Sequence, residues 1–232
     1  MIEEPAILTI KNKMRRPSTS QIAAFKGVPT GFVVDALMGG GALSKAVQPV
    51  GNGQDISCIA AGPALTADCG PADILATLAS LKFIQPGDLV VSAFAAHQGC
   101  AAAGDRLVGM MKNCGAAGFV TDGPVRDYEG IVAAGLPVWC SGLTPASPFS
   151  KGPGSVGFPV QIGAQEVETG DMVIADRDGV VIVPFEQIDD VIAKIQHITE
   201  IENKLDAEVA DGLKVPDAIA ALLASDEVEY SD

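Results

Sequence analysis

Two short segments of this chain carry residues whose types and spacing suit them to hold an anion beside a metal: Gly104-Asp105-Arg106-Leu107 and Thr121-Asp122-Gly123-Pro124-Val125-Arg126-Asp127. Each follows a short apolar run and opens an amphipathic one, where the first turn of a helix leaves backbone amides unpaired. Free amides at Asp105–Leu107 would hold a carboxylate, helped by the positive end of the helix. The Arg126 fork would clamp the same anion. Asp105 and Asp127 would add oxygen donors for a hard cation. A plainer role also suits these residues: Asp is favourable in any helix first turn, and an Arg beside an Asp is commonly a solvated pair. Yet arginine is scarce. Of five (Arg15, Arg16, Arg106, Arg126 and Arg177), two fall at these junctions.

The elements that must position the two segments are legible from periodicity. Asp88–Phe94 reads as a buried strand, Asp105–Asn113 as a helix with Leu107, Val108, Met110 and Met111 inward, and Gly118–Thr121 as a strand. Arg126–Ala134 reads as a second helix and Pro137–Cys140 as a third strand. Strand, helix, strand, helix, strand with short links is the grammar of a parallel sheet, whose ligands sit outside the carboxyl ends of the strands. Both charged segments lie there.

The flanks read differently. The first 50 residues or so look helical and loosely organised, with Ser18-Thr19-Ser20 capping a helix to about Phe25 and Thr30 starting another, stopped by Gly39-Gly40-Gly41. Ile56–Ala67 is a strand candidate bent at Gly62-Pro63, and Pro71–Ile84 has helical spacing. Beyond Pro159, the alternating runs Val160–Ile162, Met172–Ala175 and Val180–Val183 predict an antiparallel hairpin region. Phe185 to about Val209 is a long amphipathic helix whose far end, with Glu200, Glu202 and Glu208, projects from the body. A short helix and an acidic end follow Pro216. The expected organisation is one domain over residues 1–212 and a tail over 213–232.

Composition narrows the function classes. With 29 Asp+Glu against 15 Lys+Arg, the net charge is −14, which repels phosphates and argues against a nucleic-acid partner. Apolar stretches such as Leu89–Ala96 fall well short of the ~20 residues a bilayer needs. Met1-Ile-Glu-Glu-Pro shows no export signal. Five widely spaced cysteines without a Cys-x-x-Cys pair suit free thiols in a reducing cytoplasm. The expected partner is a small molecule. Asp176-Arg177-Asp178-Gly179 reads as a hairpin turn before a metal loop, and Ser150–Ser155 lacks the spacing of a phosphate loop.

Asp105, then twenty residues, then Arg126-Asp127 resembles the Asp-x20-Arg-Asp signature of the 4-hydroxy-4-methyl-2-oxoglutarate and 4-carboxy-4-hydroxy-2-oxoadipate aldolases, which share a fold with RraA-like proteins. Val34-Asp35-Ala36-Leu37, Pro86–Val91, Gly118–Gly123, Gly142-Leu143-Thr144-Pro145, Gly170–Asp176 and Gly179–Pro184 match as well, so the resemblance spans roughly residues 20–212. It implies an α/β fold, an RraA-like α/β/β/α sandwich, assembled as a trimer or hexamer. It implies a divalent metal, Mg2+ or Mn2+, and cleavage of 4-hydroxy-2-oxo diacids to pyruvate with oxaloacetate decarboxylation beside it. Carried over by residue, Asp127 is the direct metal ligand and Asp105 a ligand through water. Arg126 contacts the keto oxygen of the 2-oxo acid, with Gly104 beside it, and the amides near Arg106 and Leu107 take its carboxylate. Glu202 of the partner subunit acts through water, with Glu200 the fallback, and Asp35 lines the site. Family members often carry an acidic, Gly-rich loop where this chain has Ala95-Ala96-His97-Gln98-Gly99-Cys100, so His97 stands near the acidic position, either as a substrate contact or as a structural histidine.

Retro-aldol cleavage drives negative charge onto the departing keto oxygen, which enzymes handle with a lysine Schiff base or a Lewis-acid metal. None of the ten lysines falls in a predicted strand interior, so a buried amine lacks a candidate. The carboxylates favour the metal route. The rival expectation is an RraA-like regulator that binds a ribonuclease and catalyses nothing.

Overall fold

The computed structural model describes residues 6–231; the first five, on which the reading of the export signal rests, lie outside it. In chain order the elements are β1 (Leu8–Ile10), α1 (Thr19–Ala24), α2 (Thr30–Ala36), β2 (Gln48–Pro49), β3 (Ala60–Asp68), α3 (Leu75–Ser80), β4 (Leu89–Ala93), α4 (Asp105–Asn113) and β5 (Gly118–Thr121). There follow α5 (Tyr128–Ala134), β6 (Val138–Cys140), β7 (Gly154–Val156), β8 (Val160–Ile162), β9 (Gln165–Val167), β10 (Met172–Ala175), β11 (Val180–Val183), α6 (Ile188–Ala210) and α7 (Asp217–Leu223).

β3, β4, β5 and β6 pair in parallel in that order, the arrangement that right-handed crossovers through α3, α4 and α5 produce. β3 changes partner at Gly62-Pro63. Its first half pairs antiparallel with β10, and Ala64–Asp68 pairs parallel with β4. The expected bend is therefore the corner that joins two sheet layers. Position 62 must be glycine here, because a Cβ would run into the Gly87 carbonyl and sit 3.1 Å from the Leu89 side chain.

The layers are helix, sheet, sheet, helix. Val173, Ala175, Val180 and Ile182 of β10 and β11 face inward with Val90, Phe119, Val120 and Trp139 of the parallel strands, and Val108, Met111 and Ile131 bring α4 and α5 onto that core. On the outer face, Met172, Ile174, Val181 and Val183 meet Phe25, Val33, Ile188, Val191 and Ile195 of the α1, α2 and α6 region. Each such fully buried aliphatic side chain stabilises the fold by about 1.5–3 kcal/mol. Trp139 has no exposed surface, and its indole N–H donates to the Asp176 carbonyl at 2.8 Å.

Several expectations need correction. The N-terminal region is not only helical: β1 pairs in parallel with β7, Leu8 opposite Gly154. Arg15 and Arg16 then tie it down through ion pairs to Asp171 and Asp88. β3 begins at Ala60 rather than Ile56, and the helix expected over Pro71–Ile84 is regular only over Leu75–Ser80. Met110 does not face the core; it is 39% exposed. The helix expected from Arg126, α5, starts at Tyr128, so Arg126 precedes it and Asp127 is its N-cap residue, held at φ 61°. α6 buries only its first two turns, while Ile201, Leu205 and Val209 on its outer half are exposed, as a projecting end requires.

Candidate active site

The two charged junctions meet because the chain re-forms a short ladder beyond the strand ends. Ala103 bridges Val125, and Val125 bridges Leu143, both in parallel. The Arg126 amide donates to the Ala103 carbonyl at 3.0 Å, and the Ala102 amide to the Pro124 carbonyl at 2.7 Å. These bonds align the start of α4 with the residues just before α5. Asp122 fastens the other end of the loop: its carboxylate accepts from the Phe94 amide at 2.6 Å and the Ala96 amide at 2.7 Å. It is buried, and among the described residues no cation pairs with it, so the two amides carry its charge. They also hold Ala95 and Ala96 at φ 52°, a left-handed conformation that alanine otherwise avoids.

The product is a cavity of about 470 Å3 lined by Gly104, the N-cap of α4, by Asp105, Arg106 and Leu107 of its first turn, and by Arg126 and Asp127 from the other junction. Ile74, Leu78, Met110 and Pro148 form its apolar side. Within it the Arg126 Nε lies 3.3 Å from Asp127 Oδ2, and Arg126 Nη1 donates to Ser147 Oγ at 2.7 Å. A Cβ at position 104 would stand 2.6 Å from Asp127 Oδ2 and 3.1 Å from Arg126 Nε. A Cβ at position 130 would stand 2.6 Å from Asp105 Oδ2, which places Asp105 against α5. Both aspartates thus face the groove between the helix tips.

The first-turn amides are not all free. Asp105 Oδ1 accepts from the Arg106 amide at 2.7 Å, and Leu107 keeps an amide with no protein acceptor among the described residues. Of these two amides, the one at Leu107 is therefore open to an anion in the cavity, while the one at Arg106 is occupied by the Asp105 carboxylate. The donors suit a hydrated hard cation. Two carboxylates line the cavity with no thiol or imidazole, and no group of three His, Cys, Asp or Glu side chains converges among the described residues. One or two carboxylates with water completing the shell is how magnesium and manganese bind, whereas zinc prefers nitrogen and sulfur. Gly104 is the cradle beside Asp127 Oδ2 that a methyl group would fill.

Other expected residues lie elsewhere. His97 does not line the cavity; it stands edge-on to Phe94, with ring centroids 5.8 Å apart. Glu202 is half-buried and Glu200 exposed on α6, and neither reaches the cavity of its own chain. Asp35 lines a smaller cleft with Lys45 and Asp178. Sequence reasoning missed Ser147, which holds Arg126, and the apolar side from Ile74, Leu78 and Pro148. It also missed Asp122 as the loop fastener, although its place at the end of an apolar strand was a usable signal.

A family model described as RraA-like, Aldolase/RraA, matches residues 30–182. A protein of Halalkalibacterium halodurans named "Putative 4-hydroxy-4-methyl-2-oxoglutarate aldolase" is 34% identical over 173 residues, covering 75% of this chain and 80% of the relative. Streptomyces coelicolor RraAS2, described as an unusual member of the RNase ES inhibitor RraA protein family, superposes with a TM-score of 0.73 at 26% identity, covering 83% of this chain and 100% of that one. The RNA-processing inhibitor RraA of Thermus thermophilis shares the fold, with a TM-score of 0.60 at 24% identity over 67% of this chain and 92% of that one.

Proposed function

This chain belongs to the RraA-like family, and on that premise we propose that it is a lyase: a divalent-metal-dependent aldolase that cleaves 4-hydroxy-2-oxo diacids to pyruvate and also decarboxylates oxaloacetate. The observation that carries this reading is the convergence of Gly104, Arg126 and Asp127 on one cavity, with an unpaired helix amide beside them.

The residues divide the work as follows. Asp127 would hold the cation directly and Asp105 through water; when bound, a divalent cation supplies Lewis acidity to the keto group of the 2-oxo acid. The Leu107 amide at the tip of α4 seats the substrate carboxylate. Arg126, braced by Ser147 and Asp127, points a guanidinium at the keto oxygen, where negative charge accumulates as the C3–C4 bond breaks. The C4 hydroxyl proton passes to a water held by Asp105, or by Glu202 of the partner subunit in a trimeric or hexameric assembly. The electron pair of the broken bond goes to the pyruvate enolate, which then takes a proton at C3.

The test is pyruvate release coupled to lactate dehydrogenase, with 4-hydroxy-4-methyl-2-oxoglutarate and with oxaloacetate, in magnesium or manganese and after chelation. Metal-dependent pyruvate from both supports the reading, and no pyruvate from either overturns it. The likeness to RraAS2 favours one second reading, a non-catalytic regulator that binds a ribonuclease. Retention of Asp105, Arg126 and Asp127 around a cavity argues against it, since a binding surface alone needs no such grouping.

A further inference from the structure

Asp127 keeps a left-handed backbone, φ 61°, which a residue other than glycine holds only when its surroundings fix it. On its N-terminal side the ladder through Ala103 and Val125 does so. On its C-terminal side stands Tyr128, to whose side chain the proposed cleavage gives no task. The Tyr128 hydroxyl donates to Asp55 Oδ2 at 2.7 Å, a phenol-to-carboxylate bond between residues 73 apart in the chain. Its ring lies against Gly51, where a Cβ would stand 2.1 Å from the hydroxyl oxygen and 2.6 Å from two ring carbons. Gly51 also has φ 58°, so space and backbone conformation both demand glycine there. The segment that carries Gly51 and Asp55 is itself tied down. Arg177 Nε and Nη2 both donate to the Gly53 carbonyl, at 3.2 and 2.6 Å.

We propose that Tyr128 is a positioning residue for Asp127. Its bond to Asp55 and its seat on Gly51 fix the first turn of α5, and so hold the Asp127 carboxylate toward Gly104 and the cation it would bind. The inference rests on the aldolase reading above and deepens it. Asp127 is exposed, and among the described residues its carboxylate forms an ion pair with Arg126 alone, so side-chain contacts do little to aim it. Its direction follows from its own φ and ψ, which the anchored Tyr128 holds from the next position in the chain. Groups that orient a metal-binding side chain are worth about 10–100-fold in metal affinity. Tyr128 acts through the backbone rather than on the carboxylate itself, which puts its effect at the lower end of that range.

The experiment measures manganese affinity of the full chain from the electron paramagnetic resonance of the unbound ion, beside kcat for pyruvate release from oxaloacetate. Tyr128→Phe removes only the hydroxyl. It is expected to weaken manganese binding about tenfold and to lower pyruvate release at limiting manganese, with most of kcat recovered at saturating manganese. Asp55→Ala should match it. The double variant should bind manganese no more weakly than either single one, because both changes remove the same bond. Asp55→Asn keeps a carbonyl acceptor for the phenol and should keep most of the affinity. Unchanged manganese affinity in Tyr128→Phe, or losses that add in the double variant, overturns this assignment while leaving the aldolase reading standing. Absence of manganese binding to the unaltered protein overturns both.

Discussion

Gly104 and Asp127 approach so closely that a methyl group on the Gly104 α-carbon would stand 2.6 Å from Asp127 Oδ2. Gly104 has φ −129°, an ordinary extended value, so the demand for glycine is one of space and not of backbone conformation. Gly104→Ala should displace the Asp127 carboxylate and reduce manganese affinity and pyruvate formation by about tenfold or more, in line with disturbing a ligand's support. Gly109 lies mid-helix in α4, where an added methyl group would meet nothing within 4 Å. Gly109→Ala should keep full activity and gain about 0.5–1 kcal/mol, read by thermal denaturation.

Arg126 carries the electrostatic part of the proposed reaction. Arg126→Ala should cost about 10²–10³ in kcat for pyruvate release. Ser147→Ala removes one hydrogen bond from the guanidinium and leaves its charge, so a loss of about tenfold or less is expected. Equal losses in the two variants would show that Arg126 acts only through its packing.

Asp73 holds the far side of the cavity in place. Its carboxylate accepts from the amides of Leu75, Lys151 and Gly152 at 2.8, 2.6 and 3.0 Å, anchoring the segment that follows Pro148. Burial works to raise its pKa, but these amides prevail and hold it below the ordinary carboxylate value. A carboxylate whose folded pKa is lowered contributes stability above its unfolded value of about 3.9, and that contribution is lost as pH falls through the folded value. Asp73→Asn should therefore cost about 1–3 kcal/mol at neutral pH and flatten the acid limb of stability against pH, measured by urea unfolding.

The thiols should be unreactive in the native protein. Burial pushes the Cys140 thiol up to about 11, and burial likewise raises Cys58, Cys69 and Cys100. A maleimide or disulfide probe at mildly alkaline pH should modify the half-buried Cys114 first and the other four only on unfolding. Rapid labelling of Cys140 would contradict its packing.

The parallel core was readable because its signals are local. Asp105–Asn113 and Gly118–Thr121 appear with the expected bounds, set by apolar periodicity and by the turn residues that flank them. β1 was not readable, because three residues at Leu8–Ile10 become a strand only by pairing with Gly154–Val156, a partner far along the chain. The start of α5 was misplaced for a similar reason. Nothing in Arg126-Asp127 announces that Asp127 adopts a left-handed conformation, which follows from the ladder between Ala103, Val125 and Leu143. At the site, the charged half was legible from residue type and spacing. The apolar half was not, since Ile74, Leu78 and Met110 are indistinguishable in sequence from core positions until α3 and α4 are set side by side.

The most direct test is a crystal structure grown with manganese and pyruvate, with the metal placed by anomalous scattering. The expected result is manganese on Asp127, the pyruvate carboxylate on the Leu107 amide, and the keto oxygen within hydrogen-bonding distance of the Arg126 guanidinium. An empty cavity in crystals that bind manganese and pyruvate elsewhere would contradict it.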